Sequence, residues 1–581
     1  VQTTKQWKLI PHDPAAIERL GRLTRLPPIV SQLLLNRGIT EADQALSFLQ
    51  SPLTGLHPPE QLPGAAQAAE RVWQAVKAKD RVCIYGDYDA DGITGTAILL
   101  QVLTALGAVV DYYLPNRLEE GYGLNAAALQ DLSSAGTKVV ITVDCGIAAI
   151  EEAVEARRLG IDLIVTDHHE FKETLPCAAV CVHPRLTDSQ YPFSGLSGAG
   201  VAFKLAWLIG TLASGGPKVT DNLREILLDA VCLAAIGLVA DVMPLRDENR
   251  VLVKHGLNRF KQKPPPGLKA LLASAGLAEA EQIRAEDVAF KIAPRLNAAG
   301  RLGCARMVVE LLTTPSEQRA KDLATFLEGQ NQQRQFTERK ILAEAREMAA
   351  QFADAPALVL ASADWHAGVV GIVAGRLADQ FGKPTLLMAI GTEEATGSGR
   401  SIPGFELHQA LAECDDILVA HGGHSAAAGF RLAPSRIKDL RERFVAVAAR
   451  FYPQGPPVPQ LALDAEVPLA ALTHNIVKGL DALEPYGAEN PRPRFLAAGL
   501  QVVDQPRKMG AGERHLNLRV SQGGTRMRAV GWGMAERMEE LMSAGGKCCL
   551  AFIPKVNTWN GYSNVELEIV DFQPGPTPQL T

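Results

Sequence analysis

The chain has 581 residues, of which 47% are hydrophobic and 21% charged. This is globular composition sufficient for several domains of roughly 100–200 residues each, and it excludes a disordered or fibrous chain. Lys and Arg number 58 against 64 Asp and Glu, a net charge of −6, which taken alone argues against a nucleic-acid partner.

Residues 1–65 read as a polar, helical segment broken by Pro27-Pro28 and Pro58-Pro59, without chemistry of its own. Short β-branched runs then predict strands at Arg81–Tyr85, Val109–Leu114, Lys138–Val143, Ile161–Thr166 and Ala178–Val182, with helices over Gly95–Leu106 and Ile147–Leu159. Strands separated by helices predict a parallel α/β sheet covered on both faces. This domain is expected to span 66–270, ending at the Pro264-Pro265-Pro266-Gly267 break. A helical connector over 271–353 follows. Within it Thr314-Pro315-Ser316-Glu317 predicts the start of one long polar-faced helix reaching about Phe352, with Thr314 as its N-cap.

A second α/β domain is expected over 354–452: strand Ala357–Leu360, helix Gly368–Gln380, strand Thr385–Ile390 and helix Leu407–Cys414. The run Tyr452–Pro457 reads as a linker, and the short strands between Gly-rich turns in 458–572 predict a small β-barrel. The nine cysteines include no CxxC pair, and Cys177 and Cys181 have no matching second pair. This pattern suits a reducing compartment. No apolar run approaches the roughly 18–20 residues that span a bilayer, and the first ten residues carry no secretory h-region. A cytoplasmic monomer without a membrane partner is the expectation.

The chemistry concentrates at strand ends. The first strand runs into Gly86-Asp87-Tyr88-Asp89-Ala90-Asp91-Gly92, the third into Asp144-Cys145-Gly146, the fourth into Asp167-His168-His169, and the apolar segment Ala234–Ala240 ends at Asp241. Ligands of open parallel sheets bind at the carboxyl ends of strands, so these groups should meet. So many carboxylates in one pocket raise each other's pKa unless cations neutralise them. Mixed carboxylate and imidazole donors suit Mn²⁺ or Mg²⁺ rather than structural zinc. Two such ions about 3.5–4 Å apart can activate a water and stabilise the leaving oxygen of a phosphoester. Singly, each cluster has a bland reading as a helix cap, a surface histidine pair or the start of a calcium loop. The last lacks the Glu that a calcium loop places at its twelfth position.

The order GDYDADG, VDCG, TDHH and VAD resembles the DHH phosphoesterases, and within them the bacterial single-strand-specific 5′→3′ DNA exonucleases. The likeness continues through Pro115-Asn116-Arg117, Glu120–Leu124, Gly198–Phe203, Pro294–Arg301 and Trp365–Gly371. Gly422-Gly423-His424-Ser425-Ala426-Ala427-Ala428-Gly429 matches the GGHxxAAG signature of the associated DHHA1 domain. The resemblance implies Asp89 and Asp144 on one ion, and Asp91, Asp144, His168 and Asp241 on the other, with Asp144 bridging. Relatives place a histidine four residues before the first liganding Asp. Tyr85 stands there in this chain, and Asp87 is the candidate substitute. It also implies that His169 touches the scissile phosphate, with Asp167 orienting a neighbouring histidine.

A 5′-phosphate grip is expected from Ser398 and Arg400 in Gly397–Ser401, read as a turn after a strand, with Gly422, Gly423 and His424 nearby. Arg117 and Arg301 are candidate phosphate contacts closer to the ions. Asn331 and Arg334, on the long helix, are weaker candidates because charged helix residues usually form a solvated face. Between Arg492 and Arg528 eight Lys or Arg face only Asp504 and Glu513, a local charge of +6, with His515, Trp532, Trp559 and Tyr562 in or near the segment. Basic strands interleaved with aromatics suit an OB-fold that binds single strands.

The function expected is therefore a two-metal exonuclease releasing 5′-mononucleotides in recombination and repair. The resemblance adds a single-strand-binding protein and a helicase as partners. The rivals are a DHH phosphodiesterase for short RNA or cyclic dinucleotides, and a catalytically dead DNA-binding scaffold. The basic barrel argues against the first, and the full set of Asp and His against the second. No Walker A pattern or HExxH is present.

Overall fold

The computed structural model describes residues 5–116, 120–171, 174–187, 189–452, 458–559 and 562–581. The chain divides into two compact units, Leu53–Pro457 and a second formed by Thr3–Pro52 together with Val458–Thr581. Most of the expected linker, 453–457, lies outside the described residues.

The larger unit opens with a five-stranded, all-parallel sheet. Its strands are β1 (Arg81–Gly86), β2 (Val109–Tyr113), β3 (Thr137–Val143), β4 (Asp162–Thr166) and β5 (Val180–Val182), in the order β2-β1-β3-β4-β5. The three inner strands read as almost unbroken apolar runs because helices cover both faces. Helices α1 (Ala90–Ala105), α2 (Gly198–Ser214) and α3 (Asp221–Ala240) form one apolar core with that sheet. The apolar segment Ala234–Ala240 is thus the last part of α3, and Asp241 follows the end of that helix.

A single helix, α4 (Glu317–Ala350), has 34 residues and at 1.5 Å per residue is about 50 Å long. Its cap is Ser316, whose Oγ accepts the Arg319 N–H at 3.2 Å, two residues later than expected. Thr314 instead ends the preceding helix, Ala305–Thr313, and its hydroxyl accepts from Ser316 N–H. The first half of α4 buries Ala320, Leu323, Ala324 and Leu327 in the core of the parallel-sheet lobe. The second half buries Ile341, Leu342, Ala345 and Ala349 against α5 (Ala367–Phe381) of the next lobe.

That second lobe holds β6 (Leu358–Ser362), β7 (Thr385–Ile390), β8 (Ala395–Arg400), β9 (Ala420–Gly423) and β10 (Ala427–Leu432), in the order β9-β10-β8-β7-β6. Only β6 and β7 run parallel. The segment read as a Gly/Ser turn is itself the central strand β8. Gly397 faces the ring of Phe430, which leaves no room for a side chain, and so low β-propensity is overridden by packing.

In the smaller unit, β11 (Phe495–Val502) pairs with both β12 (His515–Gln522) and β14 (Lys547–Trp559). With β13 (Thr525–Gly531) between β12 and β15 (Tyr562–Pro574), the five strands close a ring. This is the five-stranded barrel expected of an OB-fold. Most of the N-terminal segment, up to Pro52, belongs with it. Gln6–Leu9 pairs in parallel with Gln460–Leu463, buried Trp7 donates its indole N–H to Asp571 at 2.9 Å, and Leu20, Val30, Leu33 and Leu34 join the barrel core.

Candidate active site

Each acidic group is placed by a short backbone device at the carboxyl edge of the parallel sheet. After β1 the chain turns straight into α1, and Asp89 caps that helix by accepting the Asp91 and Gly92 N–H groups at 2.9 and 3.1 Å. Asp91 is buried, and both its oxygens accept hydrogen bonds from the start of α2, from Gly198 N–H at 2.6 Å and Ala199 N–H at 3.1 Å. The fit is close: a Cβ on Gly198 would lie 2.5 Å from the Asp144 side chain, and one on Gly237 would lie 2.3 Å from an Asp91 oxygen. Asp144 itself follows β3 with φ 65°, a left-handed conformation uncommon outside Gly and Asn or Asp. It is held there by its N–H on Thr166 O at 3.0 Å and by the Tyr122 hydroxyl donating to its carbonyl at 2.9 Å.

These devices bring the expected groups together. Ligand atoms of Asp87, Asp89 and Asp144 lie within 4.8 Å of one another, as do those of Asp91, His168 and Asp241, and those of Asp144, His168 and His169. His168 Nε2 stands 3.0 Å from Asp144 Oδ1, 3.5 Å from Asp241 Oδ2 and 3.9 Å from Asp91 Oδ2. Although the first distance is short, its angles do not make a hydrogen bond, and both atoms are buried without a hydrogen-bond partner. Buried polar atoms are almost always satisfied, so this arrangement fits a cation. The donors are hard carboxylate oxygens and imidazole nitrogen, with no thiolate in any of the three groups, a set suited to Mn²⁺ or Mg²⁺. Tyr85 points elsewhere, donating its hydroxyl to Gly123 O at 3.1 Å, whereas Asp87 is in the cluster.

Without cations the electrostatics are frustrated. Burial, then the charges of Asp91, Asp89 and Asp241, push the Asp144 carboxyl far above the usual range. Burial and Asp89 raise Asp91 to about 7, and burial with Asp91 and Asp89 raises Asp241 to about 8. Burial drives His168 down to about 3, so its imidazole is neutral, the form that ligates metals. Asp167 behaves differently. Burial opposes its charge, but hydrogen bonds from His169 and the Ile147 N–H outweigh that and hold it down at about 2. Its Oδ1 lies 2.8 Å from His169 Nδ1. His169 loses to burial and gains more from this carboxylate, ending at about 9.

In the second lobe, β8 alternates faces as a strand must. Ser398 and Arg400 lie on the side of α5, where a Cβ on Gly371 would come within 2.8 Å of Ser398 Oγ and 3.3 Å of the Arg400 guanidinium. Arg400 Nη1 donates to Ser398 Oγ at 3.0 Å and to Gly399 O at 2.7 Å. Gly422 and Gly423 are exposed in β9, and His424 begins the hairpin to β10. Burial and the charge of Arg400 lower the His424 pKa, and Glu170 and His169 of the parallel-sheet lobe also act on it. Arg301 donates to Gly368 O at 2.9 Å, joining the first turn of α5 to the helix Ala293–Arg301. That helix packs on the acidic turn through Asn297, whose Oδ1 accepts the Ala90 N–H at 2.7 Å.

Asn331 and Arg334 are not on a solvated face. Both are buried, Arg334 donates to Glu338 and to Asn331 at 2.6 Å each, and Arg376 of α5 reaches the same Glu338 at 2.5 Å. They form the polar turn between the two apolar halves of α4. Arg117 lies outside the described residues, as do the side chains of Trp559 and Tyr562. On the barrel, Arg507, Lys508, Arg514, Arg519 and Arg526 are exposed, and exposed Trp532 meets His515 edge-on at 4.9 Å. Arg528, by contrast, is paired with Glu566 at 2.8 Å. The sequence reading assigned no role to Gly198, Ala199 or Tyr122, although the motifs containing them were visible.

Comparison with known proteins follows the same layout. Residues 81–235 match the DHH family N-terminal domain, 354–450 the DHHA1 domain and 463–571 the RecJ OB domain. The single-stranded-DNA-specific exonuclease RecJ of Bacillus subtilis is 37% identical over 97% of this chain and 70% of its own length. This chain belongs to the RecJ family. The RecJ of Thermus thermophilus in complex with Mn²⁺ superposes with a TM-score of 0.84 at 33% identity, covering 99% of this chain and 80% of that one. The same protein in complex with Mg²⁺ gives 0.78 at 31% identity, over 98% and 79%. DHH, DHHA1 and OB domains thus account for the parallel-sheet lobe, the second lobe and the barrel. Among the described residues no helix is long and apolar enough to cross a membrane.

Proposed function

We propose that this chain is a single-strand-specific exodeoxyribonuclease that degrades DNA from the 5′ end, releasing 5′-mononucleotides by hydrolysis with two Mn²⁺ or Mg²⁺ ions. The observation that carries this reading is the pair of ligand groups around Asp144: Asp87, Asp89 and Asp144 on one side, and Asp91, His168 and Asp241 with Asp144 on the other. Divalent ions bound there supply Lewis acidity, lowering the pKa of a water and neutralising charge on the phosphodiester.

The chain's own groups do the positioning. Asp167 keeps a proton on His169 Nδ1 and fixes the ring, which leaves Nε2 for a phosphate oxygen at the scissile bond. Ser398, Arg400 and His424, with the backbone of Gly422 and Gly423, offer hydroxyl, guanidinium, imidazole and N–H donors for a terminal 5′-phosphate. Electrostatic coupling of His424 to His169 supports a grip close to the cluster, so that a short 5′ end spans both. On the barrel, Trp532 with the neighbouring Arg and Lys residues offers stacking and charge for single-stranded DNA, at about 1–3 kcal/mol per stacked base. Arg117, Arg301, Asn331 and Arg334 have a smaller place in this reading. Arg301, Asn331 and Arg334 are engaged within the protein and act by holding the lobes rather than as free phosphate ligands. The DNA chemistry and the nine unpaired thiols suit the cytoplasm, and the family points to recombination and repair, with a single-strand-binding protein and a helicase as partners.

The test is digestion of uniformly labelled single strands bearing 5′-phosphate or a blocked 5′ end, and of duplex, with Mn²⁺ or with chelator. Mononucleotides should appear from the free 5′ end of single strands only, require metal and decline with added salt. Release from the 3′ end, or digestion in chelator, overturns the reading.

A further inference from the structure

Two of the groups assigned above to the second ion, Asp91 and Asp241, come from segments far apart in sequence, and a buried amide joins their supports. Asp241 ends α3, and the turn after it is a Schellman arrangement: Val242 N–H donates to Val239 O at 3.3 Å and Met243 N–H to Leu238 O at 3.0 Å. The left-handed position of that turn, where glycine is usual, is filled by Val242 with φ 57°. A β-branched residue there is strained, and its side chain is 71% exposed, so it gains little from packing. Something else must hold the turn.

The structure places Asn249 there. It is fully buried, and its Nδ2 donates to Pro244 O, three residues after Asp241, at 3.1 Å. The same nitrogen donates to Gly195 O at 2.6 Å. Gly195 leads directly into Ser197, the cap of α2, whose first N–H groups at Gly198 and Ala199 hold Asp91. Two carbonyls facing one amide determine which end of it points at them, since only the NH₂ has two protons to give. Asn249 stands on firm ground. The preceding Glu248 is fully buried, paired with Lys204 Nζ at 2.5 Å and hydrogen-bonded by the Tyr191 hydroxyl, and Lys204 also donates to His57 O at 2.6 Å.

We propose that Asn249 is a positioning residue for the second cation site, its amide holding at once the turn that presents Asp241 and the helix start that holds Asp91. This rests on the reading of Asp91 and Asp241 as ligands. Outer groups of this kind typically change metal affinity about 10–100-fold when removed. Asn249→Leu keeps the volume and deletes both donors, and Asn249→Ser leaves one hydroxyl that cannot reach both carbonyls.

The experiment is titration of the full chain with Mn²⁺, followed by calorimetry and by the electron paramagnetic resonance signal of free Mn²⁺, alongside the metal-activation curve of DNA digestion. Two sites are expected in the native chain. In Asn249→Leu one should weaken about 10–100-fold while the other keeps its affinity, and the activation midpoint should move to higher Mn²⁺ with the saturated rate largely kept. Asp241→Asn is the control. If it leaves both sites intact, the ligand reading itself fails. If it weakens one site while Asn249→Leu and Asn249→Ser bind both ions natively, only the positioning role falls. Equal weakening of both sites, or failure of both Asn249 variants to fold, marks the residue as a general support of the fold and also overturns the proposal.

Discussion

The two lobes of the larger unit meet opposite electrostatic problems. Around Asp144, buried carboxylates crowd together, and what the protein supplies against them is a few N–H groups, one neutral imidazole and the single charge of His169, which Asp167 already holds. At β8 a guanidinium is already steadied by Ser398 Oγ and Gly399 O, within the protein and without help. In the proposed function, one site is unfinished without cations, whereas the other presents a guanidinium already positioned for a terminal phosphate. The difference teaches that catalysis and end recognition are separable here: each should fail without disturbing the other.

The sharpest way to break this comparison is Asp144→Ala. It removes the carboxylate that lies beside both Asp87 with Asp89 and His168, and on the proposed function digestion should fall by about 10³-fold or more. Binding of a 5′-phosphorylated strand, measured by fluorescence anisotropy in metal, should weaken far less. Equal loss of both would tie the two sites together. Arg400→Met should do the converse. Loss of a charge-assisted hydrogen bond, about 1.5–3 kcal/mol, lowers kcat/KM on 5′-phosphorylated strands about 10- to 100-fold. Strands with a 5′-hydroxyl should change little, and Mn²⁺ affinity not at all. An Arg400 variant that keeps its preference for the 5′-phosphate would refute the grip.

How much of this was legible in the sequence follows from how local each feature is. Asp87, Asp89, Asp91, Asp144 and His168 each follow a strand within a few residues, so reading the strands was enough to gather them. The support of Asp91 comes from Gly198 and Ala199, 107 and 108 residues onward, and no local pattern marks that pairing. The same holds for Gln6–Leu9, which joins a strand beginning at Gln460, so the start of a segment that reads as polar and helical pairs with the barrel unit. At Gly397–Arg400 local propensity pointed to a turn, and packing on Phe430 made it a strand. Arg334 illustrates the opposite limit. A polar helix residue is normally solvated, but here a second lobe brings Arg376 to its partner Glu338 and buries the group.

A smaller effect sharpens the contrast through stability rather than activity. In the metal-free protein Asp91 and Asp241 titrate near 7 and 8, above the unfolded value of about 3.9. His169 titrates near 9, above about 6.5. Between pH 6.5 and 8 the folded state therefore holds more protons on these groups than the unfolded state, and stability falls as pH rises. The groups shifted downward act differently within the window. Of these, Asp167, at about 2, is deprotonated in both states throughout. His168, lowered to about 3, and the lowered His183 and His424 are still partly protonated near pH 6.5 only in the unfolded state, and so offset part of the slope at the acid end without reversing it. Bound cations hold the Asp91 and Asp241 carboxylates ionised and remove their part of the slope, since binding itself releases those protons. The unfolding midpoint without metal should therefore be lower at pH 8 than at pH 6.5, and the gain on adding Mn²⁺ should widen by a few degrees over the same range. Arg400→Met should leave that widening unchanged, because its site contributes none of these protons, whereas Asp241→Asn should reduce it. A gain from Mn²⁺ that stays constant or narrows with pH would mean that the carboxylates around Asp144 are not what the ions relieve.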